Sequence, residues 1–284
     1  MSTTERLWLT YCLCAALLAS VTDAGSGEAY RPVLFVVLHV AIALMQFVPR
    51  WVQQAQGQAA ARFLRSAMAI GFLPSVFSAL CWILPNVHPE PYHLAWYRLD
   101  LLWCGSDATT GLRVSTPEWI CLVLQLLYAA FYLLPIAAVL LTLRARGVAA
   151  FDRALAIVVG GFLLSYLGYL WFPTLAPKAV LPLDLQPSYA LAGTVHQFLD
   201  DAEANPWDCF PSGHTMMSLC SALIVRRWAP RHFWLFALVA SSIAISTLVL
   251  RYHWPIDVVV GVVAVPLWVR ACDRLLDLDG AQPA

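Results

Sequence analysis

Two histidines in the 284-residue chain are set among residues that suit phosphoryl chemistry. In Pro211-Ser212-Gly213-His214-Thr215, Ser212 is a good helix N-cap and Gly213 lets a ligand approach the backbone, so the amides of the helix start point at whatever binds there. Such a terminus holds phosphate, and His214 in the first turn can give a proton to one of its oxygens. The same stretch also fits an ordinary capped membrane helix with an interfacial histidine. A second stretch runs from Ser246-Thr247 through Arg251-Tyr252-His253-Trp254-Pro255-Ile256-Asp257. Pro255 suits a first helical position, which puts His253 just before the helix and Asp257 in its first turn. The carboxylate can then reach back to one imidazole nitrogen, fix the tautomer and leave the other nitrogen as a nucleophile. The alternative is a histidine–aspartate bond that only pins two helices. A third stretch, Phe172-Pro173-Thr174-Leu175-Ala176-Pro177-Lys178, adds a cation. Lys178 and Arg251 can neutralise phosphate oxygens, Arg with a two-pronged grip, or can snorkel to lipid headgroups.

The elements that must position these residues are membrane helices. Hydrophobic residues make up 61% of the chain and charged ones 12%, half of the roughly 25% usual in soluble domains, and the mean hydropathy is +0.70. Seventeen basic residues balance 17 acidic ones, so there is no basic footprint for nucleic acid. Continuous apolar runs, rather than two-residue alternation, exclude a closed barrel and leave an all-α polytopic membrane helix bundle. At about 20 residues per crossing, eight spans are expected, at roughly 7–23, 33–49, 64–84, 117–143, 154–172, 213–229, 232–250 and 255–276. The first can also be read as a signal peptide ending near Thr22-Asp23-Ala24. With eight crossings, twelve basic residues fall on one side and five (Arg31, Arg98, Arg113, Lys178 and Arg251) on the other, which puts both termini in the cytoplasm.

All three chemical stretches then meet at the extracytoplasmic face, together with the two long loops. Residues 85–116 carry Tyr92, Trp96 and Trp103 interleaved with Arg98 and Asp100, a pattern predicting an amphipathic helix on the membrane surface. This loop is expected to act as a lid or wall for a site that opens sideways to lipid. Residues 173–211 are acidic, with Asp184, Asp200, Asp201, Glu203 and Asp208. One domain is expected, divided into two added N-terminal helices (1–63), a six-helix catalytic core (64–276) and a short tail (277–284).

A transporter would place ionisable groups near the bilayer midplane. Here His39 is the one obvious case, and it reads as a helix-packing residue. Among the eight cysteines no zinc-type spacing occurs. Cys104 and Cys209 are the two in outer loops; a bond between them would tie the surface helix beside His214, and the alternative is two free thiols.

Pro211-Ser212-Gly213-His214 followed by His253-x-x-x-Asp257 resembles the type 2 phosphatidic acid phosphatase superfamily of six-helix membrane enzymes, over roughly residues 64–276. The resemblance implies a phosphohistidine mechanism with His253 as nucleophile, Asp257 orienting it and His214 protonating the leaving oxygen. It implies that Ser212, the Gly213 amide, Lys178 and Arg251 hold the phosphoryl oxygens, with membrane lipids as substrates and no metal or cofactor. The chain departs from the phosphatase pattern in lacking Arg-Pro after Lys178 and in having Ser246-Thr247 where Ser-Arg is usual. With the Phe172 to Lys178 stretch and the loop from His88-Pro89 through Asp100 and Gly105, it looks more like the inositol phosphorylceramide synthase branch, which transfers phosphorylated headgroups between lipids. A phosphodiester carries about one negative charge against nearly two on a monoester, so it needs fewer cations. Lipid phosphotransfer, lipid phosphate hydrolysis and, third, transport are the expectations to test.

Overall fold

The computed structural model describes residues 1–20, 30–87, 90–183, 190–202 and 205–280, so Thr22-Asp23-Ala24, His88-Pro89, Asp184 and Glu203 lie outside the described residues. The N-terminal part is α1 (Thr3–Ser20), α2 (Tyr30–Met45), α3 (Val48–Gln56) and α4 (Gln58–Leu80). Short elements follow: α5 (Leu84–Val87), α6 (His93–Cys104) and α7 (Ala108–Ser115). Next come α8 (Glu118–Ala129), α9 (Leu134–Arg146), α10 (Val148–Trp171), α11 (Pro177–Val180) and α12 (Ala190–Ala202). The chain ends in α13 (Gly213–Trp228), α14 (Phe233–Val249) and α15 (Pro255–Gly280). No strand occurs among the described residues; Thr174 and Asp208 form an isolated parallel bridge. The protein is an all-α membrane helix bundle.

Among the described residues five stretches are long and apolar enough to cross a bilayer: Arg31–Gln56, Gln58–Leu80, Val148–Trp171, Pro230–Val249 and Pro255–Leu276. The bent pair Ala108–Ser115 and Glu118–Tyr132, meeting at 117°, would make a sixth. The other expected crossings are shorter or broken, for local reasons. Helix α1 has 18 residues and opens with Glu5 and Arg6. The run 117–143 is interrupted by a 3-10 turn at Ala130–Tyr132, just before Pro135, whose ring cannot continue the helix that precedes it. Helix α13 has only 16 residues, eleven of them buried, because α9, α10, α14 and α15 enclose it. Its Ser218 and Ser221 are buried, and Ser221 Oγ returns its proton to the Met217 carbonyl at 2.7 Å.

One apolar core joins the N-terminal helices to the rest, from Trp8 and Tyr11 of α1 to Tyr166 of α10 and Met216 of α13. His39 belongs to it as a packing residue: its Nδ1 donates to the Phe35 carbonyl at 2.7 Å and its ring lies 3.9 Å from the Phe35 ring centre. Three ion pairs among the described residues lie at the end of the bundle away from the histidines: Glu5–Arg65 at 2.7 Å, Arg62–Asp152 at 3.5 Å, and Arg227–Asp273.

Candidate functional site

The site assembles where α13 and α15 begin. Ser212 has extended backbone and its Oγ accepts the Thr215 amide at 3.2 Å, which caps α13. Its own amide donates to the Asp257 carbonyl at 3.1 Å, so the starts of α13 and α15 are bonded directly. Gly213 has to be glycine because a Cβ there would stand 2.5 Å from the Tyr169 hydroxyl. Gly168 is constrained in the same way by the Pro211 ring.

The turn between α14 and α15 is tied from two sides. The Thr247 carbonyl accepts the amides of Tyr252 at 2.9 Å and His253 at 3.1 Å, and Arg251 just before them takes the left-handed φ of 65°. That conformation is costly for a residue with a side chain. Trp254 is fully buried and its indole donates to the Leu175 carbonyl at 2.9 Å, while the Lys178 amide donates to the Arg251 carbonyl at 3.0 Å. The Phe172 to Lys178 stretch is thereby fastened to the histidine turn.

His253 Nε2 lies 3.4 Å from His214 Nδ1, and His253 Nδ1 lies 3.5 Å from Asp257 Oδ2. That carboxylate oxygen also accepts the Trp254 amide at 2.8 Å, and all three side chains are buried. The structure thus brings His214, His253 and Asp257 into one chain of contacts, with Ser212 and Gly213 beside it. Lys178 and Arg251 stand close by but are engaged elsewhere. Lys178 Nζ sits 3.9 Å from the centre of the Tyr252 ring, a cation–π contact. Arg251 is 4% exposed and its Nη2 donates to the Leu181 carbonyl and, at 3.4 Å, to that of Pro177. Burial lowers the Arg251 guanidinium pKa from its ordinary value; Asp107 opposes the shift and Arg113 adds to it.

Several contributors escape sequence reasoning. Tyr128 stacks on His214 at 4.5 Å and on Tyr252 at 4.6 Å, and Phe131 lies 4.2 Å from His214. The only hint is a pair of aromatics three residues apart at the end of α8. Ser246 and Thr247 return their hydroxyl protons to their own helix, at Ser242 and Ala244. The Cys104–Cys209 bond is not formed. Cys104 is exposed, while Cys209 is a buried thiol donating to the Tyr252 carbonyl at 3.3 Å. Cys209, His253 and Asp257 bring three potential metal-ligating atoms within 4.8 Å of one another, a grouping that cysteine spacing does not reveal.

A cavity of about 430 Å³ opens from this site. His214, Gly213 and Asp208 line one end and Phe151 and Leu140 the other. Along α10 the lining runs from Phe151 to Tyr169, about 27 Å at 1.5 Å per residue. Its walls come from α4, α9 and α10, and its rim residues Ile70, Ile136 and Leu140 are exposed, so it opens sideways. No described residue of the outer loop lines this cavity, so the lid expected there is not seen at this cavity. Tyr92 and Trp96 pack instead on Phe172 and Phe210, and Trp96 donates to Thr174 Oγ1 at 3.2 Å.

Residues 100–270 match the PAP2 superfamily. The chain belongs to that superfamily. A 92-residue stretch is 29% identical to a PA-phosphatase related-family protein of Dictyostelium discoideum. That match covers 30% of this chain and 17% of the relative, so the chain spans a small part of that protein's length. No solved structure matches it. Membership suggests a lipid phosphatase or phosphotransferase.

Proposed function

We propose that the protein is a lipid phosphotransferase that moves a phosphorylated headgroup from a phospholipid donor to a lipid acceptor through a phosphohistidine. The observation that carries this reading is the His214–His253–Asp257 chain at the mouth of a deep apolar cavity that opens sideways. His253 Nε2 attacks phosphorus, the bond from phosphorus to the donor's lipid oxygen breaks, and His214 gives that oxygen its proton. The acceptor hydroxyl then attacks the phosphohistidine, His214 takes its proton, and the phosphorus–nitrogen bond breaks. Asp257 keeps the His253 ring oriented throughout. Since the two imidazoles touch at 3.4 Å, the entering phosphoryl group must part them. The Ser212–Gly213 turn and Lys178 hold its oxygens.

Transfer is favoured over hydrolysis by how the cations are used. Arg251 spends its Nη2 on two carbonyls and Thr247 is uncharged, an arrangement suited to a singly charged diester. Phosphatase action on phosphatidic acid or another lipid phosphate is the second reading, supported by the relative's name. In this proposal the site faces the extracytoplasmic side with both termini in the cytoplasm, a reading supported by the arginines at the opposite end.

Purified protein incubated with a phosphodiester lipid plus a lipid alcohol, and separately with phosphatidic acid, separates the two. Phosphorylated acceptor that survives a chelator is the expected product. Rapid phosphate release from phosphatidic acid with no acceptor-dependent product from any diester overturns transfer in favour of hydrolysis.

A further inference from the structure

Helix α6 is a surface helix whose one buried residue is an acid. Asp100 has no exposed surface, and neither carboxylate oxygen has a hydrogen-bond partner. One turn earlier on the same face, Trp96 and Tyr97 pack on the cluster of Trp254, Cys209 and Ala176, with the Tyr97 and Trp254 rings 6.1 Å apart. Helix α6 packs on α15, and Asp100 is near enough to Asp257 for the two charges to interact. Helix α6 thus buries Asp100 on the face that packs against Trp254, the residue next to His253.

Asp107, seven residues on, shows what a satisfied acid looks like in this region. Its Oδ1 caps α7 by accepting the Thr110 amide at 3.1 Å and the Thr109 hydroxyl at 2.9 Å. Burial pushes its pKa up, and those bonds outweigh burial and hold it below the ordinary value. Asp100 has no such donors, and burial, then the charge of Asp107, pushes its carboxyl up to about 7. An apolar residue at this position would pack without that desolvation cost.

We propose that Asp100 is a binding residue for a substrate hydroxyl, holding an alcohol group of the donor headgroup or of the acceptor lipid against the histidine pair. This rests on the proposed transfer reaction. A hydroxyl fits better than an amine because it both donates and accepts, and so satisfies Asp100 whether the carboxyl is charged or neutral. An ammonium group donates only.

The test compares wild type with Asp100→Asn on four reactions of the full-length protein. These are turnover of phosphatidylglycerol, turnover of phosphatidylethanolamine, transfer from either lipid to isotopically labelled diacylglycerol read as labelled phospholipid, and hydrolysis of phosphatidic acid. A loss of about 10- to 100-fold in kcat/KM is expected where the hydroxyl is missed, the range for one hydrogen bond to a charged group. Loss confined to phosphatidylglycerol assigns the donor headgroup, and loss confined to diacylglycerol-dependent transfer assigns the acceptor. Phosphatidic acid hydrolysis is expected to stay within about 2-fold of wild type. An equal fall in all four reactions, no fall in any, loss confined to phosphatidylethanolamine, or recovery on adding a divalent metal overturns the proposal. Asp100→Leu guards against misfolding and is expected to melt no lower than wild type, because it removes an unsatisfied acid. A clearly lower Tm in both variants shows an internal partner and also overturns it. Full turnover in His253→Ala would instead overturn the phosphohistidine reading, so the two failures are distinguishable.

Discussion

The two ends of the bundle handle charge in opposite ways. At the arginine-rich end, Glu5 meets Arg65, Asp152 meets Arg62 and Asp273 meets Arg227, and most of these groups keep some exposure to solvent. At the other end Asp257 has a long 3.5 Å contact to His253, Arg251 is bonded to carbonyls, and Asp100 is buried with no hydrogen-bond partner. Paired charges at a surface add little to stability and ask for nothing more. Buried, under-satisfied charges cost stability, and they persist where a ligand completes them. The difference separates the end that holds the helices together from the end proposed to bind substrate.

The largest effect is expected from changes to the histidine end. His253→Ala is expected to lower turnover more than about 1,000-fold, since the proposed nucleophile is lost, with little change in Tm. Asp257→Asn keeps the shape but removes the carboxylate proposed to select the His253 tautomer, and is expected to cost about 100- to 10,000-fold in kcat. Steady-state assays with circular dichroism melts check both. Activity within a few-fold of wild type in either variant would make this end a structural joint like the other.

Ile136→Trp puts a bulky ring at the exposed rim between α4 and α9. It is expected to reduce kcat/KM for a long-chain lipid by about 5- to 10-fold and to spare a short soluble phosphate ester. Equal loss on both substrates would mean that the cavity is not the lipid's path.

What the sequence made legible is what is local. Ser212 as a cap, Pro255 opening a helix, and Asp257 four residues from His253 all follow from short-range geometry, and each stands where that geometry puts it. The helical class follows from apolar run length. The breaks in those runs were harder to read, because the 3-10 turn before Pro135 interrupts a stretch whose hydropathy alone looks continuous. Long-range partners were not legible at all. Arg251 finds Leu181 and Pro177, 70 and 74 residues away, and neither partner is a side chain that could advertise it. Asp100 sits in an amphipathic pattern that would turn an acid outward with Arg98, and only the packing of Trp96 and Tyr97 turns it inward. Cys104 and Cys209 look alike in sequence, yet one is exposed and the other buried under Tyr252.

At the opposite end effects should fall on stability and leave chemistry alone. Glu5 is 2% exposed, accepts Arg65 Nε at 2.7 Å and also accepts the Ser2 amide at 2.6 Å. Because Arg65 keeps 25% exposure, the cost of Glu5→Gln is set at about 1–3 kcal/mol, below that of breaking a fully buried pair. A lower Tm with unchanged kcat is the expected outcome, and a fall in kcat at constant Tm would show the two ends to be coupled.

The smallest effect is expected from Arg227→Ala. Arg227 and Asp273 join α13 to α15 at the arginine-rich end, with side chains 42% and 32% exposed. The same two helices carry His214 and Asp257 at their other ends, so this pair tests whether they act as rigid rods. Water screens a pair so exposed, and its loss is expected to cost less than about 1 kcal/mol. Helix α13 is held along its length by α9, α10 and α14 as well, so removing one outer clasp leaves Ser212 bonded to the Asp257 carbonyl and the histidines in register. Tm and kcat in Arg227→Ala, each measured in low and high salt, are therefore expected to match wild type within error. A drop in kcat that high salt also produces in the wild type would show that this clasp sets the helix spacing at the site, and the division between the two ends would fail.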